Sequence, residues 1–121
     1  MARFLVFLVF LMMVSPSLAG DEWLFADTKR EVLYLTLHTI DWAQTRTIAR
    51  HPEMYRETNV FLGEHPSTGR VDRYFALTAL GHVGISYVLP QQWRKWFQIS
   101  TITMEVVVVA DNKRIGIAVD F

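Results

Sequence analysis

Proline segments this chain more firmly than any other feature. It occurs at only four positions, 16, 52, 66 and 90. Each is a poor place to continue a helix, because the ring removes a backbone donor and disfavours helical geometry in the residue before it. The stretches between Pro16 and Pro52, between Pro66 and Pro90, and after Pro90 are long and free of proline. That layout predicts a mostly α-helical protein.

Asp27 is placed to cap a helix beginning near Thr28, with Glu31 at the later acidic position of a capping arrangement. The helix is expected to run to about Arg50, ahead of His51-Pro52. Val32, Leu33, Leu35, Leu37, Ile40 and Trp42 are too many for one narrow stripe, which predicts burial on most sides. A polar connector follows from His51 to Gly69, with two prolines, two glycines and Asn59. Loops of that length in a compact domain are usually functional. Val71 to Leu89 reads as a second helix, and between Tyr74 and Leu89 its only ionisable side chains besides the tyrosines belong to His82.

After Pro90, Trp93 and Trp96 flank Arg94 and Lys95. Two readings stand: an aromatic and basic membrane interface, or an amphipathic helix start with both rings packed inward. The C-terminal part also carries two readings. High β-branched content, the Asp111-Asn112 pair and the alternation of Ile115, Ile117, Val119 and Phe121 fit a β-hairpin. An apolar helix from Ile99 to Ala110 fits as well.

The N-terminus has the layout of a secretory signal peptide over residues 1–19. Arg3 precedes an apolar run from Phe4 to Val14, then come Pro16 and the small-residue pattern Ser17-Leu18-Ala19. Eleven apolar residues fall well short of the roughly 20 that span a bilayer. Residues 20–121 then form a single helical domain, exported to the inner membrane or periplasm.

Composition excludes several classes. At 51% hydrophobic and 20% charged residues the chain is too apolar for intrinsic disorder. Twelve basic groups balance twelve acidic ones, so no nucleic-acid partner is expected. Absence of cysteine removes disulfides, thiolate metal sites and thiol nucleophiles.

Polar groups recur at helical spacing. His38, Asp41 and Thr45 share a face, with Gln44 at its border; Thr78, His82 and Ser86 share another; Thr101, Glu105 and Asn112 a third. Packed together, these stripes are expected to bring Asp41, His82 and Glu105 to one depth. Those three are the candidate catalytic residues for general acid–base work, and His38, Asp41, His82 and Glu105 the candidate metal ligands, with His51 or His65 as additions. In the structural alternative, His82 donates to a carboxylate and the polar groups only orient helices. No zincin, nucleophile-elbow, P-loop or dinucleotide motif is present, so no cofactor is predicted, a divalent metal being the alternative.

Asp41-Trp42-Ala43-Gln44-Thr45, then Glu57-Thr58-Asn59-Val60-Phe61-Leu62-Gly63, then His65-Pro66-Ser67 resembles a group of small uncharacterised bacterial and phage helical membrane proteins. In that group a helix carries D-x-x-Q-T and a loop carries E-x-N-P-x-L-G-x-x-P-S, followed by one or two apolar helices. The resemblance covers residues 38 to about 105 and departs at Val60, where the group has proline. It implies a compact helical membrane protein and no established activity. By residue type, Gln44, Thr45, Glu57, Asn59, Gly63, His65 and Ser67 form a motif that fixes the loop over the helix ends, with Asn59 and Ser67 in turn and capping roles and Gly63 at positive φ.

The expectation is therefore a signal peptide followed by about three apolar helices, a long polar connector and, in one reading, a C-terminal hairpin. The expected function is a small exported, membrane-associated accessory or interaction protein of the cell envelope, with membrane lipid and a protein as partners. The alternative is a membrane-embedded metal-binding protein or hydrolase using an Asp/His/Glu cluster.

Overall fold

A computed structural model of the protein describes residues 22–117. The expected signal peptide, and Val119 and Phe121 of the expected hairpin, lie outside the described residues. Three helices follow in order: α1 (Phe25–Arg50), α2 (Thr68–Val88) and α3 (Gln91–Arg114).

Local chemistry sets their ends. α1 stops at Arg50, ahead of His51-Pro52. It starts earlier than its sequence suggests, because Asp27 occupies the third helical position and its Oδ2 accepts the Leu24 N–H at 2.9 Å. Ser67 caps α2, its Oγ accepting the Arg70 N–H at 3.1 Å. Leu89, ahead of Pro90, is extended at φ −71° and ψ 140° and ends α2. α1 and α3 run parallel, since Arg94 meets Asp27, Glu105 meets His38 and Asn112 meets Gln44. α2 lies antiparallel to both, with His82 at Glu31 and Asp72 at Trp42 and Arg46.

The C-terminal hairpin is overturned. Residues 99–112 lie inside α3, and no strand occurs among the described residues. Helical periodicity puts Arg94, Gln98, Thr101, Glu105 and Asn112 on one face, where each meets a partner on α1 or α2. A strand would send Gln98 and Thr101, three residues apart, to opposite faces. The β-branched run is accommodated because Val106, Val107 and Val108 point outward.

The expectation of three apolar helices is also overturned. No helix among the described residues is long and apolar enough to cross a membrane. The buried residues of α1 include Asp27, Glu31, His38, Gln44, Thr45 and Thr47, and those of α3 are Arg94 and Gln98. Nor is α1 buried on most sides, since Val32, Leu33 and Ile40 are exposed. Once the polar stripes meet each other, they occupy the seam and displace the apolar side chains outward. What apolar core remains is small: Tyr34, Leu35, Ala79 and Val83 in one cluster, Leu62, Val71 and Phe75 in another.

The connector folds back on itself over residues 57–64. The Glu57 N–H donates to the Glu64 carbonyl at 2.8 Å, Asn59 Oδ1 accepts the Phe61 N–H at 2.9 Å, and Gly63 takes φ +82°. Asn59 Nδ2 donates to the Tyr74 hydroxyl at 2.9 Å, tying the turn to α2.

Candidate functional site

The buried polar groups lie at two levels along the bundle. At the first, Asp27, Glu31, Ser86, Arg94 and Gln98 are all fully excluded from solvent. Arg94 donates to Asp27 Oδ2 at 2.9 Å and to the carbonyls of Ser86, Glu22 and Leu89, and its guanidinium stacks over Trp23. Glu31 accepts from Ser86 Oγ at 2.9 Å and Gln98 Nε2 at 2.8 Å, and meets His82 Nδ1 at 2.5 Å. His82 Nε2 faces Thr101 Oγ1 at 2.7 Å, whose own proton goes to a backbone carbonyl of α3. Every one of these buried groups has its partner. Such an arrangement fixes helix register.

The second level, nearer the connector, is different. His38 Nε2 faces the Phe75 carbonyl at 3.2 Å and Thr78 Oγ1 at 2.9 Å, so this nitrogen carries a proton. Its Nδ1 lies 2.7 Å from Glu105 Oε1. Asp41 sits beside Glu105, and Thr45 Oγ1 donates to Asp41 Oδ1 at 3.3 Å. Glu57 reaches in from the connector, its Oε1 accepting the N–H groups of Thr58 and Asn59. The remaining oxygens, Glu57 Oε2 and Glu105 Oε2, are buried without a hydrogen-bond partner among the described residues. A cavity of about 240 Å³ opens here, walled by Asp41, Thr45, Glu57, Asn59, Leu62, Phe75 and Val108.

Three carboxylates converging from α1, α3 and the connector cannot all stay ionised cheaply. Burial, then repulsion from Glu105 and Glu57, pushes the Asp41 carboxyl up from its ordinary 3.8 to about 8, against the lowering effect of the Thr45 hydroxyl. Asp41 therefore holds a proton at neutral pH. Burial, then the carboxylates of Glu105 and Glu31, also pushes the Tyr34 hydroxyl up.

A raised carboxyl gives a stability trend of definite sign. Between about pH 4 and 8 the folded chain holds a proton on Asp41 that the unfolded chain has released. The stability from this group is complete below the unfolded value and is lost as pH rises through the folded one. Asp41→Asn is expected to flatten that decline, so that thermal melts of the variant lose fewer degrees than the parent between pH 5 and pH 8. Parallel pH dependences in the two proteins would refute the proton held on Asp41.

Asp41 and Glu105 thus come together, with His38, but His82 does not join them. The ring of Tyr34 stacks on His82 at 3.5 Å between centroids and on His38 at 5.1 Å, and so stands between the two levels. His51 pairs with Glu53 at the surface and His65 is exposed, so neither reaches the cavity. Among the described residues no group of three or more His, Asp or Glu side chains is arranged to hold a metal ion. Of the motif residues, Thr45, Glu57 and Asn59 line the cavity. Gln44 instead clamps α3, donating to the Val109 carbonyl at 3.2 Å and accepting from Asn112 Nδ2 at 3.0 Å.

Sequence reasoning found His82, Ser86 and Thr101 of the first level but missed their partners. It placed Asp27 and Glu31 in capping roles and left Arg94 between a membrane interface and an amphipathic helix start. A signal was present: Asp27, Glu31, His38, Asp41 and Thr45 continue one stripe at spacings of four, seven, three and four, and Arg94, Gln98, Thr101 and Glu105 another.

No protein-family model matches the chain, and neither a curated protein nor a solved structure matches it.

Proposed function

We propose that this chain is a small membrane-associated helical protein of the cell envelope, serving as an accessory or interaction protein with no reaction of its own. One observation carries the reading: charged side chains are buried in the bundle while large apolar ones stand on its surface. Asp27, Glu31 and Arg94 are 0% exposed, while Leu77, Val88, Trp96, Met104 and Val107 are 61–68% exposed. Water would reward the opposite arrangement, because apolar area kept from water stabilises by about 25 cal/mol per Å² and a buried ion pair must overcome its desolvation. An apolar medium against the outer surface removes the conflict. No described helix being suited to cross a membrane, the association is one in which this exterior rests in lipid at a membrane face. The envelope placement follows from the signal-peptide layout of residues 1–19.

Fractionation tests this. The apolar run over residues 4–14 would by itself retain an uncleaved chain, so the comparison is between parent and a Leu77→Asn/Val88→Asn/Val107→Asn variant of the same full chain. The parent is expected to stay with membranes through a urea wash and the folded variant to be released in large part. Equal retention, or release of the parent, would overturn the reading.

A second reading is favoured by the cavity alone. A protonated Asp41 at the wall of a space large enough for a small substrate, with Glu105 and its partner His38 behind it, has the makings of an acid–base pair.

A further inference from the structure

We infer that the end of the bundle formed by residues 23–30 and 90–96 is a docking surface for anionic phospholipid headgroups. The inference rests on the membrane reading and deepens it by naming the lipid class and the end of the molecule that meets it. Leu24, Phe25, Trp93 and Trp96 all project from this end, with Phe25 74%, Trp93 59% and Trp96 61% exposed. Amphipathic rings of this kind favour the headgroup layer of a bilayer. Lys29 lies over the Phe25 ring with its Nζ 4.9 Å from the centroid, which puts a cation and an apolar ring on the same patch. Lys95 shares a hollow with Leu24, Arg30, Gln91 and Gln92, and Trp93 and Trp96 wall the neighbouring one.

Charge selects the occupant. Arg94, the cation that the sequence places between the two tryptophans, is turned inward and neutralised by Asp27. Arg30 pairs with Asp27 too. Among the described residues neither Lys29 nor Lys95 is paired with a carboxylate, so the outward charge of this patch is positive. At the opposite end cations and carboxylates are interspersed: Arg46, Arg56 and Arg114 meet Asp72, Glu64 and Asp111, and Arg70, Arg73 and Lys113 are exposed among them without the cluster of aromatic rings. An aromatic surface carrying two outward ammonium groups complements a phosphate-rich anionic layer better than a neutral one, each such cation strengthening binding about fivefold.

The test uses the purified full chain with vesicles of phosphatidylcholine alone and of phosphatidylcholine mixed with phosphatidylglycerol. Binding is read by co-sedimentation and insertion by the blue shift of tryptophan fluorescence. The parent is expected to bind the anionic vesicles about thirtyfold more tightly than the neutral ones, with the difference shrinking as salt is added. Lys29→Glu/Lys95→Glu, checked for retained helicity by circular dichroism, is expected to abolish the preference for anionic vesicles. Trp93→Phe/Trp96→Phe is expected to remove most of the blue shift. Equal binding to both vesicle types, or a preference that survives charge reversal, overturns this inference and leaves the membrane reading standing. Failure to bind either vesicle overturns both.

Discussion

Replacing Arg94 by alanine is expected to destabilise the fold by about 3–5 kcal/mol, the usual cost of breaking a buried ion pair from one side. A domain of this size has about 5–15 kcal/mol in total, so the variant loses a large fraction of its stability. The guanidinium is fully buried and reaches Asp27, three backbone carbonyls and the face of Trp23 at once. Truncation leaves Asp27 with Arg30 as its remaining cation and strips donors from carbonyls at the α2–α3 junction. Arg94→Lys keeps the charge, but a single ammonium cannot reproduce the planar fork, and it is expected to fall between parent and alanine variant. Asp27→Asn/Arg94→Met removes both charges and is expected to recover part of the loss. Urea unfolding followed by circular dichroism checks all three. A loss below about 1 kcal/mol for Arg94→Ala would mean that the pair does not organise the interior.

Glu31→Ala is expected to cost a similar amount, about 3–5 kcal/mol, and for a related reason. This carboxylate is 0% exposed and holds donors from two other helices: Ser86 and His82 of α2 and Gln98 of α3. Removing it orphans all of them in a site that water does not reach, and buried unmade hydrogen bonds cost more than made ones contribute. Glu31→Gln keeps the volume but turns an acceptor into a donor facing Gln98 or His82, so a substantial part of the loss should remain. A double-mutant cycle with His82→Ala isolates the pair, and a coupling of about 0.5–3 kcal/mol is expected for groups in one buried network. Strict additivity of the two losses would show that the contact at 2.5 Å contributes nothing specific.

The two levels of the interior respond to different perturbations. At the first, every polar group is satisfied, so substitutions there report on stability. At the second, Glu57 Oε2 and Glu105 Oε2 remain unpaired beside a cavity, so Asp41→Asn reports on proton uptake as well. Tyr34 separates them, and its stacking on both histidines keeps one level from rearranging into the other.

Some of this was legible before any coordinates. The end of α1 at Arg50, the end of α2 ahead of Pro90 and the positive φ of Gly63 are local matters of covalent geometry. The spacing of His38, Asp41 and Thr45 correctly put them on one face. It did not say at what height that face would meet the others, which is why His82 was expected beside Asp41 and Glu105 and is found with Glu31. The β-branched run after Ile99 carried no decision between hairpin and helix, because β propensity reflects the packing environment as much as the backbone. The partners of Gln98, Glu105 and Asn112 on α1, all about 67–68 residues away in sequence, supplied the decision.

By itself, then, the sequence determined where α1 and α2 stop, that polar residues lie in stripes, and that charge is balanced overall. Only the tertiary structure decided which way those stripes face. Spacing along a helix fixes angular position relative to neighbours on the same helix. Inside and outside are defined only when three helices meet. Here the polar faces were turned inward to satisfy one another beside a small apolar core, and other apolar residues, Leu77, Met104 and Val107 among them, were left on the outer surface.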